Sequence, residues 1–328
     1  MASICCNSSR NRPRETPSGV VDRRDFLAVG SCALAGIALG PPVRGLGAER
    51  ELFRISLAQW SLHRTIRAGD LDPLAFPRAA RVEFGIEAVE YVNQFYLGRV
   101  GDVGYFAGLR RVADDEGVTN LLIMCDELGD LGDPDATRRR HAAANHFAWV
   151  DVAAQLGCRS VRVNATSDPG LAAHEQQRLV ADGLRGVCEY ADQAGLDVLV
   201  ENHGGLSSDA RWLVGLIKRV DHPRAGTLPD FGNFLVSDDP ERWYDRYRGV
   251  EEMMPYARAV SAKSHDFDVG GEETSTDFTK MMRIVLDAGY RGWVGIEYEG
   301  DTLGEYEGIR ATKELLERVR GDLASHYG

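Results

Sequence analysis

The chain has 328 residues, 44% of them hydrophobic and 27% charged, a globular composition with length enough to bury a core. Six arginines against three acidic residues give residues 1–48 a charge of +3, which leaves −15 for the remainder of a chain whose formal charge is −12. An acidic body repels phosphate backbones, which speaks against nucleic acid as a partner and leaves room for a small molecule.

The amino terminus stands apart. Asp22-Arg23-Arg24-Asp25-Phe26-Leu27 leads into an apolar stretch over residues 26–39, too short to span a bilayer and of the length of a signal core. Pro41, Pro42, Gly45, Gly47 and Ala48 follow, as near a cleavage site. The segment resembles a twin-arginine export signal. That resemblance implies delivery to the periplasm or beyond, with no stable membrane insertion once the signal is removed. The expected division is therefore a leader over residues 1–48 and one folded body over residues 49–328. In the body, Cys125, Cys158 and Cys188 are widely spaced with no CxxC pair, which argues against a disulfide framework or a thiolate zinc site.

From residue 52 the pattern alternates between strand and helix. Residues 53–60 read as the first strand and 73–84 as a helix with proline in its first turn, where the missing N–H does little harm. The spacing then predicts a strand over 85–90, a helix over 102–115, a strand over 118–125 and a long amphipathic helix over 135–156 ended by Gly157. A strand over 160–164 and a helix over 172–194 follow. The fifth strand closes at Glu201, and Ser207 and Ser208 are candidate caps for a helix reaching Val220. The sixth strand closes at Asp230, and residues 240–257 read as a helical layer broken near Pro255. The seventh strand closes at His265, with Asp277 capping the helix after it. The eighth closes at Glu297, and a last helix covers 306–320. Eight strand–helix units in about 280 residues predict a single (β/α)8 TIM barrel. The rival open sheet would want a Gly-rich phosphate turn after the first strand, where Gln59-Trp60-Ser61-Leu62-His63 stands instead.

Glu201, Asp230, His265 and Glu297 recur at strand ends, spaced by 29, 35 and 32 residues, each interval long enough for one strand–helix unit. Barrel active sites lie at the carboxyl ends of the strands. Three carboxylates and one imidazole gathered there predict one divalent metal ion, Mn²⁺ or Mg²⁺ foremost, with Co²⁺ or Zn²⁺ also able to serve. Trp60 could stack on a ring of a bound small molecule. Glu90, Asn164, His203 and Asn233 could bind hydroxyl groups, His63 could line the mouth, and Glu127 is a weaker candidate.

Leu199-Val-Glu-Asn-His-Gly-Gly205, Pro229-Asp-Phe-Gly-Asn233, Lys263-Ser-His-Asp266 and Gly295-Ile-Glu-Tyr-Glu299 resemble the xylose-isomerase-like barrel superfamily, the sugar (phosphate) isomerases and epimerases that also include endonuclease IV. The resemblance implies that Glu201 and Glu297 act as an acid/base pair, and that Asp230 and His265 complete the metal with them. It implies an enzyme that isomerises or epimerises a small carbohydrate through an enediolate. A dehydratase or lyase on a keto-sugar or inosose would use the same intermediate. A metal-dependent nuclease or a non-catalytic sugar-binding barrel are the other readings. Two positions depart from the epimerase pattern: Asn233 stands where those enzymes have a substrate-binding His, and Gly271 where they have an Arg. A homo-oligomer is compatible with the sequence.

Overall fold

The computed structural model describes residues 51–328, so the expected export signal lies outside the described residues. The body opens with β1 (Arg54–Ala58), α1 (His63–Ala68), α2 (Phe76–Phe84), β2 (Ala88–Val92), α3 (Val103–Asp115) and β3 (Thr119–Cys125). Next come α4 (Ala136–Leu156), β4 (Ser160–Val163), α5 (Ala173–Gln193), β5 (Asp197–Glu201), α6 (Ala210–Val220) and β6 (Ala225–Leu228). A short hairpin, β7 (Leu235–Asp238) and β8 (Glu241–Trp243), precedes α7 (Arg246–Met253). Then β9 (Val260–Ser264), α8 (Phe278–Asp287), β10 (Trp293–Tyr298) and α9 (Glu305–Tyr327) complete the chain. No described helix is long and apolar enough to cross a membrane.

Eight strands pair in parallel in the order β6-β5-β4-β3-β2-β1-β10-β9. The ring closes through bridges between Thr227 and Ala257 and between Asp230 and Ser261. The Ser261 N–H donates to Pro229 O at 2.9 Å, and the Phe231 N–H to Ser261 O at 3.1 Å. This is the (β/α)8 barrel expected from the unit count.

Side chains alternate across each strand, and the alternation sorts the core. Val89, Tyr91, Ile123, Val161, Val198, Val200, Val260, Ala262, Val294 and Ile296 face the helices. Ala58, Val92, Leu122, Met124, Leu199 and Leu228 form a separate apolar cluster; their strand parity is shared with Glu90, Arg162, Glu201, Lys263 and Glu297, all buried. The inner layer is thus apolar on one side and ionic on the other.

Three expectations are corrected. The hairpin replaces the first part of the helical layer over 240–257; its strands are too short to show a period. Asp209, not Ser207 or Ser208, caps α6 by accepting the N–H groups of Arg211 and Trp212. The two serines instead tie the loop after β5, accepting the His203 and Gly204 N–H groups. The seventh barrel strand ends at Ser264, one residue short of His265.

Candidate functional site

Glu201, Asp230 and Glu297 come together at the carboxyl ends of β5, β6 and β10. Each offers a carboxylate oxygen, and these oxygens all lie within 4.8 Å of one another. The sequence explains the placement of Asp230. Its Oδ1 accepts the N–H groups of Gly232 and Asn233, both at 2.8 Å, so the carboxylate folds its own turn. Asn202 fixes that turn to the end of β5: its Oδ1 accepts the Asp230 N–H at 2.8 Å, and its amide donates to Asp230 O and Asn233 O.

The Ser261 hydroxyl lies 2.7 Å from Asp230 Oδ2 and 3.0 Å from Glu297 Oε2. A hydroxyl has one proton to donate, so the second contact is satisfied when one carboxyl itself carries a proton. Glu297 is the better holder. Burial pushes its pKa well above the ordinary carboxylate range, Lys263 opposes, and Glu201 and Asp230 push it further up. Burial raises Glu201 and Asp230 as well, against the pull of neighbouring cations.

Those cations are Arg162 and Lys263, neither of which the sequence reading had assigned a role. Arg162 Nε lies 2.8 Å from Glu201 Oε2 and its Nη1 2.6 Å from Asp126 Oδ1. The Nε and Oε2 atoms face each other without the alignment of a hydrogen bond. Burial pushes Asp126 upward, but the Arg162 charge prevails and holds it below the ordinary range. Lys263 Nζ sits 3.0 Å from Glu299 Oε2, 3.3 Å from Asn233 Oδ1 and 3.8 Å from Glu297 Oε1.

His265 is absent from the cluster. It lies past the end of β9, half-buried, with its backbone N–H on Glu273 Oε1 at 3.4 Å. Register explains this. In the β9–β10 ladder Glu297 is paired with Lys263, so the residue level with the last carboxylate is the lysine. Three carboxylates could share one hard cation. The converging donors do not include His265 of the expected four-donor centre; the β9 side chain that reaches two of the carboxylates is the Ser261 hydroxyl, and the Lys263 ammonium lies beside them, 3.8 Å from Glu297 Oε1. The donors present therefore do not fit that centre.

Above the cluster a cavity of about 410 Å³ opens, lined by Trp60, Val92, Gln94, Met124, Asp126, Glu127, Arg162, Asn164, His203, Glu297 and Glu299. Trp60, Asn164, His203 and Glu127 are thus at the cavity. The Trp60 ring stacks on His63 with centroids 4.8 Å apart, so His63 backs the wall. Asn164 donates to Asp126 Oδ1 at 2.8 Å. His203 is kept neutral: burial, then Arg162 and Lys263, lower its pKa to about 4.

Glu90 and Asn233 are not among the lining residues. Glu90 is buried lower in the barrel, accepting from Ser56 Oγ at 2.7 Å, and a Cβ at Gly295 would lie 2.6 Å from its Oε1. Asn233 is a strut, donating to Glu201 Oε1 at 3.1 Å while accepting from Lys263. Arg162 and Asp126 are the functional candidates the sequence reading passed over. Their signal was an arginine inside an otherwise apolar strand, at the parity of Asn164.

Known proteins give this geometry its setting. A C-glycoside deglycosidase alpha subunit from Arthrobacter globiformis is 35% identical over 84 residues, 25% of this chain and 22% of that protein. The chain thus spans about a fifth of the length of that curated relative. A 3-keto-D-glucoside 4-epimerase from E. coli superposes with a TM-score of 0.59 at 16% identity, covering 75% of this chain and 94% of the other. A xylose isomerase-like TIM barrel protein from Mycobacterium smegmatis in complex with magnesium gives a TM-score of 0.61 at 17% identity, over 84% and 98% of the two chains. At such identities the likeness is one of fold. Residues 78–320 match the model of one family throughout, and the chain belongs to it: the xylose isomerase-like TIM barrels.

Proposed function

We propose that this protein is a carbohydrate enzyme of the isomerase/epimerase kind, moving a proton on a carbon next to the carbonyl of an oxidised sugar. The observation that carries the reading is Glu297. Its carboxyl lines a sugar-sized cavity, is buried, and has a pKa raised well above the ordinary carboxylate range by that burial, a shift of the kind that marks carboxyls used in proton transfer. Glu201, across the cluster, is the second member of the pair. In the forward step the C–H bond breaks, its proton passes to one carboxylate, and the electron pair moves into the carbonyl to give an enediolate. Return of a proton from the opposite side inverts the carbon; return at the neighbouring carbon exchanges aldose and ketose. Arg162 presents a fixed positive charge at the cavity wall, where the oxyanion develops. Asn164 and the neutral His203 supply hydrogen bonds for hydroxyl groups, and Trp60 an apolar wall.

A second reading draws on the deglycosidase relative. From the same enediolate, the group on the next carbon can leave with its bonding electron pair, and the reaction becomes an elimination. The epimerase structure and the deglycosidase name both involve a glycoside, which favours a 3-keto-glycoside as the first substrate to try.

The experiment is proton NMR of a 3-keto-D-glucoside in D₂O with the purified protein. Deuterium entering the carbons flanking the carbonyl is expected, with inversion for an epimerase and release of the aglycone for a lyase. Glu297→Gln should keep the fold and slow exchange by about 10²–10⁴-fold. Absence of exchange across a panel of keto-sugars would overturn the reading.

Export is inferred separately from the arginine pair and the apolar stretch over residues 26–39. Fractionation of cells carrying the full chain, with and without Arg23→Lys and Arg24→Lys, tests it; retention of the unaltered chain in the cytoplasm would refute it.

A further inference from the structure

We propose that the ammonium of Lys263 is the resident cation of this site, compensating the carboxylate cluster from within the protein, so that the site takes up no stoichiometric divalent ion and its chemistry does not depend on one. The observation is one of register. Lys263 is paired with Glu297 in the β9–β10 ladder and its ammonium lies 3.8 Å from Glu297 Oε1, whereas His265 is not among the converging donors.

The lysine is built in. Its side chain is 3% exposed; its ammonium is within hydrogen-bond distance of Glu299 at 3.0 Å and Asn233 at 3.3 Å, and forms a longer ion pair with Glu297 at 3.8 Å. The stem runs against Gly232, where an added Cβ would sit 3.1 Å from both Cγ and Cδ of Lys263. The absence of a side chain at 232 therefore leaves the channel in which the stem lies. A buried ammonium held by Glu299 and Asn233, with its stem confined beside Gly232, is fixed next to Glu297.

The remaining carboxylates are engaged too. Glu201 faces Arg162 at 2.8 Å. Asp230 accepts two backbone N–H groups and lies within reach of Ser261. A bare cluster of three carboxylates would be held apart by its own repulsion and would draw in a dication. Here two fixed cations supply that attraction, and a dication placed among the oxygens would meet an ammonium at short range in a poorly screened interior.

The metal-binding part of this proposal stands without any assumed reaction; only its catalytic part rests on the proton-transfer reading. Mn²⁺ alone is the probe, titrated into the metal-stripped protein and followed by the EPR signal of free Mn²⁺. The unaltered protein is expected to bind no stoichiometric Mn²⁺ at micromolar concentrations. Lys263→His should gain one site per chain, tighter by at least about tenfold. Lys263→Met, which fills the same channel without charge, should gain in the same direction and serves if the histidine variant fails to fold. Binding of one Mn²⁺ per chain by the unaltered protein, as tight as in the variants, would overturn the proposal. So would loss of keto-sugar deuterium exchange on chelation, restored by Mn²⁺. If exchange is absent under every condition, the proposed function fails while the Mn²⁺ titration still decides the role of Lys263.

Discussion

Glu90 shows how burial sets the behaviour of a single carboxyl. It lies inside the barrel with one short hydrogen bond from Ser56. Burial, only partly offset by that bond and reinforced by Glu201, raises its pKa from 4.5 to about 7. A carboxyl raised in the folded state binds its proton more tightly there than in the unfolded chain. Its contribution is fully present below pH 4.5 and is lost as pH rises through 7. Between pH 5 and pH 8 the unaltered protein should therefore lose roughly 2 to 3 kcal/mol of unfolding free energy that Glu90→Gln does not lose. Urea titrations of both proteins at the two pH values measure the difference; equal losses would show that Glu90 is not protonated in the fold. At this scale the sequence was legible for carboxylates and misleading for cations. Glu201, Asp230 and Glu297 converge as their spacing suggested. Lys263 was hidden because a run of residues shows where a strand is, not which residue is level with a neighbour's. Parity cannot separate Lys263 from His265, which are two apart; only the placed side chains show that Lys263 lies beside Glu297. Arg162 was hidden because a charge in a short strand reads from sequence as a flaw in the strand.

Elements behave more predictably, because caps and stops are local. Asp135 and Asp277 accept the first N–H groups of α4 and α8, and α2 and α4 end on left-handed glycines at φ +65° and +76°. These signals lie within a few residues of each other and survive any tertiary context. The hairpin does not: three or four residues per strand give no period to read, and its pairing is decided by the loop lengths around it. Packing between elements is also invisible in a linear pattern. Helix α9 passes so close to β10 that a Cβ on Gly308 would overlap the Tyr298 ring. Tyr298 follows Glu297 directly, and its hydroxyl donates to Leu303 O at 3.1 Å. Gly308→Ala should push α9 outward and cost about 1–3 kcal/mol, read as a lower urea midpoint. An unchanged midpoint would mean that α9 shifts without strain.

For the whole molecule, repetition carries the information. Eight units of similar length leave few arrangements in which every strand is covered on both faces, so the barrel could be read before any side chain was placed. The contents of its interior could not, since they depend on how strands are staggered around the ring. The inward positions carry apolar side chains on β1, β2, β3, β5 and β6 and ionic ones on β2, β4, β5, β9 and β10. The cavity draws on both, with Val92 and Met124 as well as Arg162, Glu297 and Glu299 in its lining.

The closure between β6 and β9 consists of two isolated bridges in place of a ladder. One of those bridges is formed by Asp230 itself, and its partner Ser261 touches Glu297. The seam and the reactive cluster are thus the same few atoms, and whatever settles against them also acts as a clasp. Affinity for such a guest and resistance of the cylinder to springing open are then two readings of one free energy.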